Sequence, residues 1–261
     1  MRAMNIAATG MQAQQLNVEV ISHNIANLNT TGYKQQRAEF QDLLYENIRR
    51  PGAPSSDANT IVPAGVQLGL GVKTAAVYRI ASQGSLLSTG NPLDIAIEGA
   101  GYFPVDLPGG DVGYTRAGSF QLNAQGQIVT ADGHTVQPGI TIDPSATDIG
   151  INVSGEVVAK LPGQVQEQVV GQIQLANFAN RAGLEAIGDN LFKETDASGA
   201  ATIAPAGTQG MGTIRQGFLE SSNVNVVGEL TNMISAQRAY EMNSKVIQTT
   251  DEMYSTVTQM R

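Results

Sequence analysis

Residues 1–34 read MRAMNIAATGMQAQQLNVEVISHNIANLNTTGYK, and the rest of the chain is organised around them. One apolar column recurs every seven positions at Met4, Met11, Val18 and Ile25, and a second, offset by three, contains Ala7, Gln14, Ile21 and Leu28. These spacings put a narrow apolar stripe along a helix of about 25 residues. Between Ala3 and Tyr33 the only formal charge is Glu19. A helix lined with neutral amides and small residues is predicted to be covered by other protein on most sides, and it is too polar to span a bilayer.

The end of the chain carries a second heptad pattern. One column contains Val226, Met233, Tyr240, Ile247 and Tyr254, and an adjoining column contains Ala239, Val246, Met253 and Met260. The column that starts at Leu230 continues with polar residues, so the apolar face is broad and interrupted and suits several neighbours better than one seam. Asn225 is the expected N-cap, with Glu229 in the first turn of a helix that runs to about Met260.

The middle of the chain has a different composition. All ten prolines lie between Pro51 and Pro205, and short strand-like segments alternate with Gly-rich turns from Val72 to Phe178. This pattern predicts an all-β body rather than βαβ units. Residues 35–50 instead carry apolar side chains at helical spacing and form an exposed segment. Residues 46–71 are predicted to be a long extended loop.

Composition excludes several classes of protein. The 261 residues carry a net charge of −8, which argues against nucleic-acid binding and against docking to an acidic membrane. There is no cysteine, and the two histidines, His23 and His134, lack neighbouring carboxylates at metal-ligand spacing. Gly69–Thr74 departs from the phosphate-loop pattern. We therefore expect no catalytic site, metal or cofactor, and a chain that is not an enzyme. The N-terminus lacks a conventional secretory signal.

Residues 22–34, SHNIANLNTTGYK, follow directly from the first helical pattern. This run resembles the N-terminal signature of bacterial flagellar rod and hook proteins. Further similarity to that family lies in Gly99–Phe103, Tyr114–Phe120, Gly188–Phe192 and Gln237–Asn243. The segments Asp42–Tyr45, Pro51-Gly52 and Gly65–Val72 are similar to the distal-rod branch of the family in particular.

The residue patterns and the resemblance together predict a mixed α and β fold. Long N- and C-terminal helices are expected to form a coiled-coil-like domain, with a central all-β domain and extended connecting segments. The predicted domains are 1–35 with 222–261 as the inner layer of a tube, 36–94 with 193–221 as a connecting domain, and 95–192 as the outer β domain.

The resemblance implies a structural subunit of the flagellar distal rod, exported without a cleaved signal peptide. Such subunits assemble into a helical tubular drive shaft that transmits torque, encloses the export channel and spans the periplasm to the outer membrane. The implied partners are further copies of the chain, proximal rod proteins, hook protein, the periplasmic and outer-membrane bushing ring proteins, and the flagellar export apparatus. The alternatives are another axial protein, either proximal rod or hook, and a β module that binds or hydrolyses cell-wall glycan.

Two sets of residues are predicted to carry this function. The expected assembly interface comprises Met4, Met11, Val18, Ile21, Asn24, Ile25, Asn27, Leu28, Gly32, Tyr33, Val226, Leu230, Met233, Tyr240, Val246, Ile247, Met253 and Tyr254. The expected rod-stiffening loop contains Arg49, Pro51, Gly52, Pro54, Pro63 and Gly65.

Overall fold

The computed structural model describes residues 2–50, 64–163, 166 and 168–260. The chain divides into two compact units. Unit 1 comprises Met1–Ile25, Gln36–Tyr78 and Asn225–Arg261, and unit 2 comprises Ala26–Gln35 and Arg79–Val224. Pro51, Gly52, Pro54 and Pro63 of the predicted stiffening loop lie outside the described residues.

Unit 1 contains two long helices, α1 (Arg2–Ala26) and α2 (Val226–Gln259). α1 ends at a turn in which Gly32 adopts a φ of 68°, a left-handed conformation that glycine adopts without strain. At the start of α2 the Asn225 side chain accepts a hydrogen bond of 3.1 Å from the Gly228 amide. The prediction that Asn225 is the N-cap of α2 is therefore confirmed.

Four β-strands of unit 1 follow α1 in the sequence. The strands are β1 (Gln36–Asp42), β2 (Tyr45–Arg49), β3 (Val66–Gly69) and β4 (Val72–Arg79). β1 forms a two-stranded sheet with β4, and β2 pairs antiparallel with β3. The helical prediction for residues 35–50 is thus wrong. Side chains of residues 36–40 alternate between half-buried and exposed, which is the period of a strand, and the partner strands lie far along the chain, beyond the reach of local spacing.

Unit 2 is built from fifteen strands in its described residues. They are β5 (Leu86–Ser88), β6 (Ile95–Glu98), β7 (Phe103–Asp106), β8 (Val112–Thr115), β9 (Gln121–Leu122), β10 (Ile128–Val129), β11 (Asp148–Ile151), β12 (Glu156–Lys160), β13 (Gln168–Gln172), β14 (Gln174–Asn177), β15 (Glu185–Gly188), β16 (Leu191–Lys193), β17 (Thr202–Pro205), β18 (Thr213–Gln216) and β19 (Phe218–Glu220). The largest sheet has the order β15-β16-β8-β7, and β11-β12-β13 form a three-stranded sheet. The other pairs are β9–β10, β14–β17, β6–β18 and β5–β19, and all these pairings are antiparallel.

Unit 2 encloses two apolar clusters. In the larger one, Phe103 is fully buried and meets the ring of Phe120 edge-on, with 5.1 Å between the ring centroids. The smaller cluster contains Tyr102, Tyr114 and Phe178. These residues come from strands and turns throughout the unit, so unit 2 has a core of its own.

The prediction of a coiled-coil-like domain with extended connections is wrong. On α2 the buried side chains are Glu229, Ala236 and Thr250, which are small or polar, rather than the apolar heptad columns. Where α1 faces α2, Gly10 is so close to Asn243 that an added Cβ would lie 2.8 Å from its Nδ2 atom. Contacts of this kind do not form the knobs-into-holes seam that a coiled coil requires. The connections also differ from the prediction, because strands β1–β4 occupy much of residues 36–79.

Candidate assembly interface

Many large apolar side chains along α2 are exposed. Val227 is 74% exposed, Met242 68%, and Met260, which follows the last residue of α2, 79%. Of the predicted interface residues, Leu230, Tyr240, Val246, Met253 and Tyr254 are exposed, whereas Val226, Met233 and Ile247 are half-buried. So many exposed large apolar side chains on one helix are typical of a surface that other protein covers.

Two grooves between α1 and α2 continue this apolar surface within unit 1. The first has a volume of about 330 Å³, and its walls include Val18 and Tyr240 with the carboxylates of Glu19 and Glu241. The second has a volume of about 640 Å³ and is lined by Arg2, Ala3, Thr250, Met253, Tyr254 and Val257. The first groove brings predicted interface residues of both helices together, whereas in the second the predicted residues, Met253 and Tyr254, both belong to α2.

The α1 residues of the predicted interface divide into two groups. Met4, Met11, Val18 and Ile25 are half-buried, whereas Ile21 and Asn24 are buried. The Asn24 amide nitrogen donates to the Gln36 carbonyl at 2.8 Å and to Glu229 Oε2 at 3.2 Å, and its oxygen accepts from the Gln36 amide at 2.8 Å. Asn24 therefore links α1, β1 and α2 inside unit 1.

The remaining signature residues belong to unit 2. Asn27, Leu28 and Tyr33 are half-buried and Gly32 is buried. The Gly32 amide donates to the Glu220 carbonyl at 2.8 Å. An added Cβ at Gly32 would lie 2.8 Å from the Ala117 backbone nitrogen, and its φ is positive, so both the space and the conformation there require glycine.

A buried ionic cluster in unit 2, formed by Lys34, Arg116 and Glu220, was not predicted from the sequence. Glu220 is 1% exposed, and Lys34 and Arg116 are each 6% exposed. Glu220 Oε1 accepts from Lys34 Nζ at 2.5 Å and from the Gly84 amide at 2.9 Å, while Oε2 accepts from Arg116 Nε at 2.6 Å. Removing one partner of such a buried set typically costs about 3–5 kcal/mol, because it leaves a charge without compensation.

The electrostatics of this cluster keep Glu220 ionised. Burial alone would raise the pKa of its carboxyl, but the charge of Arg116 and the hydrogen bond and charge of Lys34 outweigh burial, so the pKa lies below its ordinary value of 4.5. Burial lowers the pKa of Lys34, and Glu220 opposes that shift. A sequence signal for the cluster exists in retrospect: Lys34 and Arg116 are single charges inside otherwise uncharged family motifs.

Two residues of the predicted stiffening loop, Arg49 and Gly65, lie among the described residues, at one end of the β2–β3 pair. Arg49 is the last residue of β2 and lies opposite Val66, and Gly65 directly precedes β3. Ile48, Val66 and Leu68 in this pair are exposed. The pair therefore presents apolar side chains of its own.

Sites for other chemistry are not evident in the part of the chain that the structure describes. Its His, Asp and Glu side chains form no group of three that could hold a metal ion. Neither described helix is apolar enough over its length to cross a membrane.

Comparison with known proteins agrees with these features. The family of flagella basal body rod proteins matches residues 4–34, the D1 domain of the flagellar hook protein FlgE/F/G family matches residues 96–159, and the C-terminal region of the flagellar basal body rod FlgEFG proteins matches residues 215–260. The matches define the class of the chain as a flagellar axial protein of the rod and hook group.

Similarity to individual proteins extends over the whole chain. The flagellar basal-body rod protein FlgG of Caulobacter vibrioides is 62% identical over 261 residues, which is 100% of both chains. The proteins of the same name from Agrobacterium fabrum and Bacillus subtilis are 52% and 39% identical, covering 98% and 97% of this chain and 98% and 96% of their own. The chain belongs to the family of flagellar basal-body rod proteins.

Proposed function

We propose that this chain is a structural subunit of the flagellar distal rod and acts by polymerising rather than by catalysis. The observation that carries this proposal is the apolar surface of α2, whose many large side chains stay exposed, whereas unit 2 of the same chain encloses two apolar clusters of its own. A subunit that offers one patch and its complement on different faces forms head-to-tail contacts. When the rotation between neighbours does not close, these contacts propagate as a helical tube.

The free energy for assembly comes from covering the apolar residues of α1 and α2. Complete burial of one such side chain contributes about 1.5–3 kcal/mol before ordering costs are subtracted. Covering about five Met, Ile, Val and Tyr side chains per helix can therefore drive association, and many repeated interfaces let the tube transmit torque.

The arrangement in the cell follows from this assignment. Residues 1–35 and 222–261 form the inner layer around the export channel, 36–94 with 193–221 connect the layers, and 95–192 face outward. The tube spans the periplasm to the outer membrane and contacts proximal rod proteins, hook protein and the bushing rings. The subunits leave the cytoplasm through the flagellar export apparatus. The family membership and the exposed apolar surface support this placement.

The test uses Met253→Asp in the full-length chain. Met253 is 61% exposed in the single subunit, so a carboxylate there leaves folding intact, but it places a charge in a buried contact of the tube. Concentrated wild-type protein is expected to form tubes visible by electron microscopy, and Met253→Asp is expected to stay monomeric with an unchanged thermal unfolding midpoint.

The matched control is Val169→Asp, because Val169 is also 61% exposed but lies on β13 in unit 2. This variant should polymerise as the wild type does. Tubes of Met253→Asp at the wild-type concentration would show that this side of α2 is not the assembly interface.

We further propose that residues 46–66 stiffen the tube by contacting adjacent subunits. The exposed apolar residues of β2 and β3 support this role, because they are available for contact outside the chain. Deleting residues 46–66 should give curved or flexible tubes, as measured by the persistence length in micrographs. The milder Ile48→Ser should change stiffness in the same direction by less, and straight tubes of unaltered stiffness from the deletion would refute the role.

A further inference from the structure

The backbone of residues 32–35 is enclosed between two other segments of unit 2. The Gly32 amide donates to the Glu220 carbonyl at 2.8 Å, and the Gln35 amide donates to Asn223 Oδ1 at 2.7 Å. The Ile80 amide donates to the Gln35 carbonyl at 2.8 Å. The segment that leads out of α1 is thus bonded to the segment that leads into α2.

The two cations of the buried ionic cluster depend on Glu220 to different degrees. Arg116 also donates to the carbonyl oxygens of Gly101, Gly99 and Ile97, at 2.6, 2.7 and 2.9 Å. Besides Glu220, Lys34 donates to one carbonyl, that of Ser82, at 2.8 Å. Loss of the Glu220 charge therefore leaves Arg116 well hydrogen-bonded and Lys34 poorly compensated in a buried position.

Residues 26–35 contribute no side chain to the apolar core of unit 2. The two apolar clusters of unit 2 draw their described members from residues 95–214, and none comes from 26–35. If the buried Lys34 loses its counter-charge, local opening of the segment to water should need less free energy than unfolding of the core.

We propose that residues 26–35 are an intramolecular latch, which the Glu220 carboxylate closes on unit 2 of each single subunit before any other copy binds. Because Lys34 follows α1 and Glu220 precedes α2, the closed latch holds together the two segments that lead to the helices. The family signature then acts first within one chain. This role holds whether or not the subunits go on to form a tube.

Amide hydrogen exchange of the full-length chain at a concentration where it stays monomeric tests the latch. In the wild type, the Gly32 and Gln35 amides should be protected. In Glu220→Gln their exchange should be faster by about a hundredfold or more, the ratio that corresponds to loss of a buried ionic partner. The core amides of Ile95 and Ala176, which donate to the Gly118 and Tyr102 carbonyls, should keep their wild-type rates.

A double variant separates the charge effect from a general structural effect. Lys34→Met leaves Glu220 paired with Arg116, so it should speed exchange at Gly32 and Gln35 less than Glu220→Gln does. Adding Lys34→Met to Glu220→Gln removes the stranded cation and should restore about tenfold or more of the lost protection. The surface variant Arg215→Gln should leave these rates unchanged, since the Arg215–Glu98 pair is exposed.

Several results would overturn the latch. Equal acceleration of all four amides in Glu220→Gln would mean that Glu220 supports the whole fold. Unchanged rates at Gly32 and Gln35 would mean that Glu220 does not hold the segment. Additive effects in the double variant, or wild-type protection that arises only at concentrations where copies associate, would equally contradict it.

Discussion

Unit 2 and the helix α2 differ in whether their apolar side chains form a buried core within the chain. Unit 2 buries Phe103 completely and encloses even a carboxylate, Glu220, by supplying it with two cations and an amide. α2 leaves Val227, Met253 and Val257 largely in contact with solvent. The apolar core of unit 2 is therefore complete within one chain, whereas the exposed side chains of α2 would gain burial free energy from contact with other protein.

A substitution in the core of unit 2 gives the strongest test of this difference between the two regions. Phe103→Ala should lower the free energy of unfolding by about 3–5 kcal/mol, because it leaves a cavity beside Phe120. Denaturant unfolding followed by circular dichroism measures the loss. Val257→Ala on the exposed side of α2 is the matched comparison and should change monomer stability by less than about 0.5 kcal/mol. Similar losses in both variants would remove the distinction between the two regions.

Acid should weaken unit 2 through Glu220. A carboxyl whose pKa is lower in the folded than in the unfolded state contributes stability above its ordinary value of 4.5, and this contribution is lost as the pH falls through the folded pKa. The free energy of unfolding should thus fall as the pH is lowered below 4.5, and the fall should be smaller in Glu220→Gln. Denaturant titrations between pH 3 and pH 7 measure both slopes. Identical slopes in the two proteins would exclude Glu220 as a source of the pH dependence.

The start of α2 provides a smaller and more local test. Asn225→Ala removes the side-chain acceptor of the Gly228 amide and should destabilise α2 by about 1 kcal/mol. Because α2 is mostly exposed, the effect should show as faster amide exchange in its first turn while the amides of unit 2 keep their rates. Asn225→Asp retains an acceptor and serves as the control. A loss of protection in unit 2 as large as that in α2 would show that the two regions do not unfold separately.

The smallest effect is expected at the surface of unit 2. Arg215 Nε lies 2.6 Å from Glu98 Oε2, but both side chains are about half exposed. Solvent screens such pairs, so Arg215→Gln should lower the free energy of unfolding by about 0–1 kcal/mol. Thermal unfolding measures the change. A loss as large as that from a partner of Glu220 would mean that burial does not decide the strength of ion pairs in this protein.

The two regions also differ in how well their structure could be predicted from the sequence. Heptad columns and the Asn225 cap located the two helices, because helical periodicity and capping are local. The same reasoning failed for residues 35–50, whose strands β1 and β2 find their partners in β4 and β3 after the proline-rich stretch. It also failed for the packing of the helices, since small and polar residues of α2, rather than its apolar columns, are buried.

The family, the helices at both ends and the β-rich middle could all be inferred from the amino-acid order, because motifs, caps and turn residues act over a few positions. The folded structure was needed to show that Asn24 binds Gln36 and Glu229 and that Lys34 pairs with a carboxylate 186 residues away. This is because the energy of a buried ion pair depends on all the groups that surround it in space. Such neighbours come together only when the chain has folded.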